Sequence, residues 1–201
     1  MTLPPPLERR FYEPDAARVA PALLGHFLLV GSGEEVCGGI IVETEAYLAD
    51  DPASHGYRRE TARNRSMYGP AGHAYVYFIY GNHHCFNVVC RDAGIAEAVL
   101  VRAIAPVFGV EPMRRRRGGL NDRQLTNGPG KLCAALDIDR RHDGVDLCEP
   151  EALVRVAWNA EAKSVRRRLA PRVTGPRVGI TKAAGQPLRF RLSGSPHCSR
   201  G

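Results

Sequence analysis

Residues 74–79 and 85–90 are two runs of aromatic, β-branched and other apolar side chains with Gly81-Asn82 between them. Such a turn between two strand-like runs makes an antiparallel hairpin, and a hairpin needs further strands or helices to bury a face. Runs at 27–30 and 39–43, parted by Gly31-Ser32-Gly33, and at 98–103, 153–157, 177–180 and 187–192 can supply the sheet. Helical patterns are fewer. The spacing of Ala16, Val19, Ala20, Leu23 and Leu24 predicts a helix with Asp15 as N-cap and Gly25 as stop. Two more are predicted, over 107–117 despite Pro112 and over 129–136, where Pro129 suits the first turn. The regular strand-helix alternation of a doubly wound fold is missing. The expected fold is mixed α/β (α+β): a mainly antiparallel curved β-sheet with surrounding helices and a protruding β-hairpin. It should form one domain over 14–201, after a loose, proline-rich N-terminal arm at 1–13.

A chain of 201 residues can bury a substantial core within one domain. Lysine and arginine number 28 against 21 acids, a net charge of +7, which favours a polyanionic partner. An arginine-rich composition without such a partner is the alternative. Most clustered bases lie in the second half, at Arg114 to Arg117, Arg140, Arg141, Lys163, Arg166 to Arg168, Arg172, Arg177, Arg189 and Arg191. That places the expected phosphate-facing surface there, although a run such as 114–117 is more often a solvated helix face. No run of about 18 apolar residues suits a membrane span, and the first ten residues lack a signal-peptide core. A cytoplasmic monomer with no membrane partner is expected. Six cysteines form no CxxC pair and read as reduced thiols. His83, His84, Cys85 and Cys90 do not suit a metal, because neighbouring strand side chains face opposite ways. No metal and no cofactor are expected. Residues 50–72 are polar and aperiodic, and a loop of that length is usually functional or disordered.

Chemistry concentrates in Val42-Glu43-Thr44-Glu45-Ala46-Tyr47 and Tyr75-Val76-Tyr77-Phe78-Ile79-Tyr80-Gly81. An acid near the end of an apolar strand needs a partner, and Arg102, set among Val99, Leu100, Val101 and Ala103, is the natural one. By local pattern alone a buried Glu-Arg pair with a stabilising role is the commoner outcome. Glu43 and Glu45 share a strand face, and the pattern does not choose between them. Their spacing of about 7 Å also suits paired glycosidase carboxylates, which keeps a carbohydrate hydrolase in view. Against that stand the basic charge and a single tryptophan, Trp158. Tyr80, at the turn, is either a cap on the edge of the core or a wedge between base pairs.

Glu43-Thr44-Glu45-Ala46-Tyr47, Arg63-Asn64-Arg65-Ser66-Met67, the 75–81 ribbon, Leu125-Thr126-Asn127-Gly128-Pro129-Gly130-Lys131-Leu132 and Arg177-Val178-Gly179-Ile180 follow one another in this order. Together they resemble the alkyladenine (3-methyladenine) DNA glycosylases, from about Ala16 to Pro196. The resemblance implies a monofunctional, metal-free enzyme of base excision repair acting on double-stranded DNA with damaged purines. Such an enzyme flips out alkylated purines (3-methyladenine, 7-methylguanine), and with them deaminated ones (hypoxanthine), and hydrolyses the N-glycosidic bond to leave an abasic site. By the same resemblance Glu45 would be the general base, and Arg102 would hold the carboxylate and the water. Tyr47 and His55 would form one wall of the base pocket and Tyr77 the other. Asn87 would lie at the pocket floor, Tyr80 would intercalate, and Lys131 would meet the DNA backbone. No lysine stands in the 43–47 segment or the hairpin, so no lyase activity is expected. A non-catalytic binder of damaged nucleic acid is the alternative.

Overall fold

The computed structural model describes residues 3–169 and 172–199. Among them are eight strands: β1 (Phe27–Val30), β2 (Cys37–Tyr47), β3 (Ala74–Ile79), β4 (His83–Cys90), β5 (Glu97–Phe108), β6 (Val154–Ala157), β7 (Arg172–Gly175) and β8 (Arg189–Leu192). The helices are α1 (Ala16–Leu23), α2 (Val110–Arg116), α3 (Asp122–Leu125), α4 (Pro129–Leu136) and α5 (Ala162–Arg168), with short 3-10 turns between elements. The sheet runs β3-β4-β5-β2-β1-β6, and β8 joins β2 and carries β7. All the pairings are antiparallel. This is the expected α+β domain with an open, curved antiparallel sheet.

β2 organises the molecule. One edge pairs with β5 along nearly its whole length. The other pairs with β1 from Cys37 to Ile40 and then with β8 from Glu43 to Glu45. The two acids therefore sit in a stretch covered on both edges. Their alternate neighbours Val42, Thr44 and Ala46 are buried too, and Thr44 Oγ1 donates to Ala20 O of α1 at 2.9 Å. Strand alternation thus sends Thr44 to the helical layer and Glu43, Glu45 and Tyr47 to the other face. The main core includes Leu23, Val76, Phe86, Val101, Met113 and Leu132, each such side chain stabilising the fold by about 1.5–3 kcal/mol on burial.

Several sequence expectations are met closely. Asp15 accepts a hydrogen bond from Arg18 N at 3.0 Å, and Gly25 ends the helix region at φ +90°. Others are revised. β5 continues through Pro106 to Phe108, facing Gly39, where a Cβ would lie 2.0 Å from Ala105 O. α2 consequently starts only after Gly109, whose φ of +61° breaks the strand. Residues 177–180, expected as a strand, form none, and Val178 N instead donates to a side chain. The arm expected to be loose is tied down: Pro6 bridges to Ala157, Leu7 N donates to Val156 O at 2.8 Å, and Leu7 and Tyr12 are buried. Its apolar residues outweigh its prolines because β6 presents an open edge to pair with. Residues 1–2, 170–171 and 200–201 of the expected arm and domain lie outside the described residues.

Candidate active site

A cavity of about 320 Å³ opens between the hairpin, the end of β2 and residues 178–180. That volume suits a small planar ligand. Its walls include Tyr47, His55, Tyr75, Tyr77, Asn87 and Arg102, with Tyr80 at the mouth. The structure thus brings together most residues singled out in the sequence.

Behind this cavity lies a buried ionic network. Glu45 is fully buried, and its Oε2 accepts from Tyr47 Oη at 3.0 Å and from Arg102 Nη1 at 3.2 Å. Its Oε1 accepts from Val178 N at 2.8 Å. Arg102 sits where the β2-β5 register skips a residue, between the pairs Glu43 with Ala103 and Thr44 with Val101. Such a bulge re-aims a side chain, and here the guanidinium reaches both acids, with Nε 3.1 Å from Glu43 Oε1. Burial opposes the Arg102 charge, but Glu45 and Glu43 outweigh it and raise its pKa.

Glu43 is used differently. Its oxygens accept from Arg102 Nε, Arg189 Nε at 2.7 Å, Ser199 N at 2.5 Å and Ser199 Oγ at 2.8 Å. Neither acid lines the cavity, but only Glu45 is held by Tyr47 and Val178, which do. The two carboxylates therefore do not flank a common substrate space, which removes the geometric basis for the paired-carboxylate glycosidase.

Hydrogen bonds and ring contacts set the aromatic wall. His55 Nδ1 lies 2.9 Å from Tyr75 Oη, and Asn64 Nδ2 donates to His55 O at 2.8 Å. The His55 ring meets Tyr77 edge-on with centroids 4.5 Å apart, and Tyr75 lies 5.4 Å from Tyr77. His55 is thus seated against Tyr77, whereas the sequence reading put it beside Tyr47. Burial, with Arg63 adding to it, lowers the His55 pKa. Burial raises those of Tyr47 and Tyr77, so both phenols stay protonated donors. Asn87 is buried and donates through Nδ2 to Tyr75 O at 3.0 Å.

Tyr80 has 79% of its surface exposed and a φ of 57°, followed by Gly81 at 72°. Two successive positive φ angles define a primed hairpin turn, which holds the ring out beyond the sheet. Lys131 lies in the first turn of α4 with Nζ 3.0 Å from Asn127 Oδ1, outside the cavity, although Pro129 lines it.

Tyr75, Asn64 and Val178 stand within the sequence motifs, but nothing in their local pattern signals the contacts they make. Asp51 and Arg177 form a buried ion pair near Tyr47, with the guanidinium carbon 4.6 Å from the Tyr47 ring centre. Neither residue signalled this pairing, since 126 positions separate them. Of the bases expected to form a second-half phosphate surface, Arg115, Arg116, Arg140, Arg141, Lys163, Arg167, Arg168 and Arg172 are exposed, but not all are free to serve. Arg155, Arg177 and Arg189 are buried, and Arg114 pairs with Glu111 and Asp122. By contrast Arg58, Arg59, Arg63 and Lys182 line a cleft that shares His55 and Tyr75 with the main cavity.

The site is an aromatic pocket with room for a flat ligand, backed by a buried carboxylate that accepts three hydrogen bonds and fronted by an exposed tyrosine on a hairpin. Comparison with known proteins gives that site its context. The family model for methylpurine-DNA glycosylase matches residues 10–196. A protein of Rhodopseudomonas palustris strain HaA2 is 50% identical over 195 residues, 96% of this chain and 90% of its own length. One from Methanoculleus marisnigri is 50% identical over the full length of both chains, and one from Agrobacterium fabrum is 46% identical over 98% of this chain and 93% of its own. All three carry the provisional name 3-methyladenine DNA glycosylase. The chain belongs to the methylpurine-DNA glycosylase family. It is a DNA repair enzyme, a hydrolase acting on N-glycosidic bonds.

Proposed function

We propose that this enzyme rotates damaged purines out of duplex DNA and releases them by hydrolysis, leaving an abasic site. Its substrates are 3-methyladenine, 7-methylguanine and hypoxanthine. The observation that carries this reading is Glu45, buried behind the aromatic cavity and held by Arg102, Tyr47 and the Val178 amide.

In the reaction a water oxygen bonds to the deoxyribose C1′ as the bond to the purine nitrogen breaks, and that electron pair leaves with the base. Glu45 takes the water proton, with Arg102 fixing the carboxylate. Glu45 has no surface on the cavity, so water reaches it where the Tyr47 hydroxyl now bonds, after a shift of that ring. A purine methylated at N3 or N7 is already cationic and departs neutral. Hypoxanthine needs protonation as it leaves.

No ring contact joins Tyr47 to the cluster of His55, Tyr75 and Tyr77 among the described residues. A base inserted between Tyr47 and Tyr77 would stack on both, with cation-π attraction favouring a charged one. Asn87 would oppose the exocyclic amine of guanine. Tyr80 would fill the gap left in the duplex, since damaged bases cost less to unstack. Lys131 would meet a backbone phosphate. No lysine lines the cavity among the described residues, which supports base release without a Schiff base or strand cleavage. On the sequence evidence the enzyme works as a cytoplasmic monomer.

The test is a duplex carrying one 7-methylguanine or hypoxanthine. Wild type should generate an alkali-labile site, and Glu45→Gln should bind the lesion while losing at least about 100-fold in rate. Salt-sensitive binding with no base released by wild type would instead establish a non-catalytic binder.

A further inference from the structure

Arg177 does not line the cavity, yet its guanidinium lies over the ring of Tyr47, which does. Its side chain is fully buried. Nη1 donates to Ala46 O at 2.8 Å and pairs with Asp51 Oδ2. Nε and Nη2 have no hydrogen-bond partner among the described residues. Buried N–H groups without acceptors are costly, and the π face of Tyr47 is the electron-rich surface that meets them. Arg177 is absent from the cavity lining, so the guanidinium meets the Tyr47 ring from outside the cavity.

A ring that already holds a cation on one face attracts a second cation less strongly on the other. The charge draws ring electron density toward itself and adds direct repulsion through a poorly screened interior. Asp51 moderates this, because its carboxylate is buried beside the guanidinium. The pair thus sets how positive the Tyr47 wall is.

We propose that Arg177 and Asp51 determine the balance between cationic and neutral bases at this site, Arg177 lowering the preference for a cationic purine and Asp51 restoring it. The proposal rests on the reading above, that a purine stacks on Tyr47. Arg177 is a positioning and tuning residue acting through that ring, and it keeps the enzyme active on neutral lesions that a purely electron-rich pocket would disfavour.

The experiment compares kcat/KM on duplexes holding cationic 7-methylguanine or neutral hypoxanthine. Replacing the pair with Arg177→Met and Asp51→Asn together removes both charges without stranding either. The ratio of cationic to neutral activity should rise about threefold or more. Asp51→Asn alone leaves Arg177 unbalanced, keeps an oxygen for the Ala53 amide that Asp51 now serves at 2.9 Å, and should lower the same ratio. Arg177→Lys, which keeps the charge, should leave the ratio within about twofold. A merely structural role would slow both lesions together, so an unchanged ratio, or one moving the same way in the double and single variants, overturns the proposal. Should the double variant fail to fold, the single change Asp51→Asn still decides by the direction of its shift. Wild type releasing neither base would instead overturn the functional reading itself, and this proposal with it.

Discussion

Tyr47 donates its phenolic proton to Oε2 of Glu45 at 3.0 Å, and in doing so it occupies the cavity side of the carboxylate. Burial, with the charge of Glu45 adding to it, lifts the phenol pKa so far that it remains a donor at any working pH. On the proposed function the ring and the hydroxyl have separable duties, stacking on the base and temporary occupancy of the carboxylate. Tyr47→Phe should keep base release within about a hundredfold of wild type, because one hydrogen bond to a charged carboxylate is worth about 1.5–3 kcal/mol. Tyr47→Ala should lose far more. Single-turnover rates on a 7-methylguanine duplex check this, and a Phe variant as slow as the Ala variant would assign the hydroxyl a direct chemical role.

Glu43 lies two residues from Glu45 but is a structural hub, accepting from two arginines and from Ser199. Removing its charge leaves Arg102 and Arg189 without part of their compensation. Glu43→Gln should destabilise the protein by about 3 kcal/mol, lowering Tm by about 10 °C at this chain length. Measured well below that Tm, it should keep much more activity than Glu45→Gln. A Glu43→Gln protein that melts like wild type but is inactive would reverse the assignment of the two acids.

At Tyr80 stability and function should move in opposite directions. The residue is exposed and holds a left-handed φ of 57°, a conformation that costs a non-glycine residue about 1 kcal/mol. Tyr80→Gly relieves that strain, offset in part by the greater freedom of glycine in the unfolded chain. Thermal melting should show a Tm no lower than wild type, while affinity for a lesion duplex drops at least fivefold. Undiminished lesion affinity would remove the wedge role.

His26 gives the fold a pH dependence. Burial, with help from the Arg166 charge, lowers its pKa to about 4 from the ordinary 6.5, and Nδ1 accepts from Asn159 N at 3.2 Å. Between pH 6.5 and 4 the unfolded chain binds a proton that the folded chain refuses. This contribution to stability is therefore whole above pH 6.5 and declines as pH falls through that window, by about 2 kcal/mol. Denaturant melts at pH 7 and pH 4.5 should differ accordingly, and His26→Gln should show a smaller difference.

Much of the local structure is written in local pattern. β1, β3 and α4 have the bounds that apolar runs and Pro129 indicate, and the Asp15 cap and Gly25 stop are where side-chain chemistry requires them. The failures have a common cause. Residues 177–180 look like a strand, but Val178 N bonds Glu45 and the segment becomes a cavity wall. β5 outruns its expected end because Gly39 on the neighbouring strand allows close approach. α5 and β7 lacked a strong period in the sequence and gain stability from contacts such as those of Arg166 with Ala22 O and Leu24 O.

By itself, the sequence determined the antiparallel hairpin, the strand face shared by Glu43, Glu45 and Tyr47, and a motif order specific enough to imply the family. Those properties depend on side chains a few residues apart or on the linear order of short segments. Only the tertiary structure separated the two acids by their surroundings. Neither acid has surface on the cavity, but of the donors around Glu43 (Arg102, Arg189 and Ser199) only Arg102 lines it, whereas Tyr47, Arg102 and the Val178 amide, which hold Glu45, all come from residues that line it. The two acids have the same chemistry and the same strand face. What separates them is the set of donors delivered from up to 156 residues away, which no local spacing encodes.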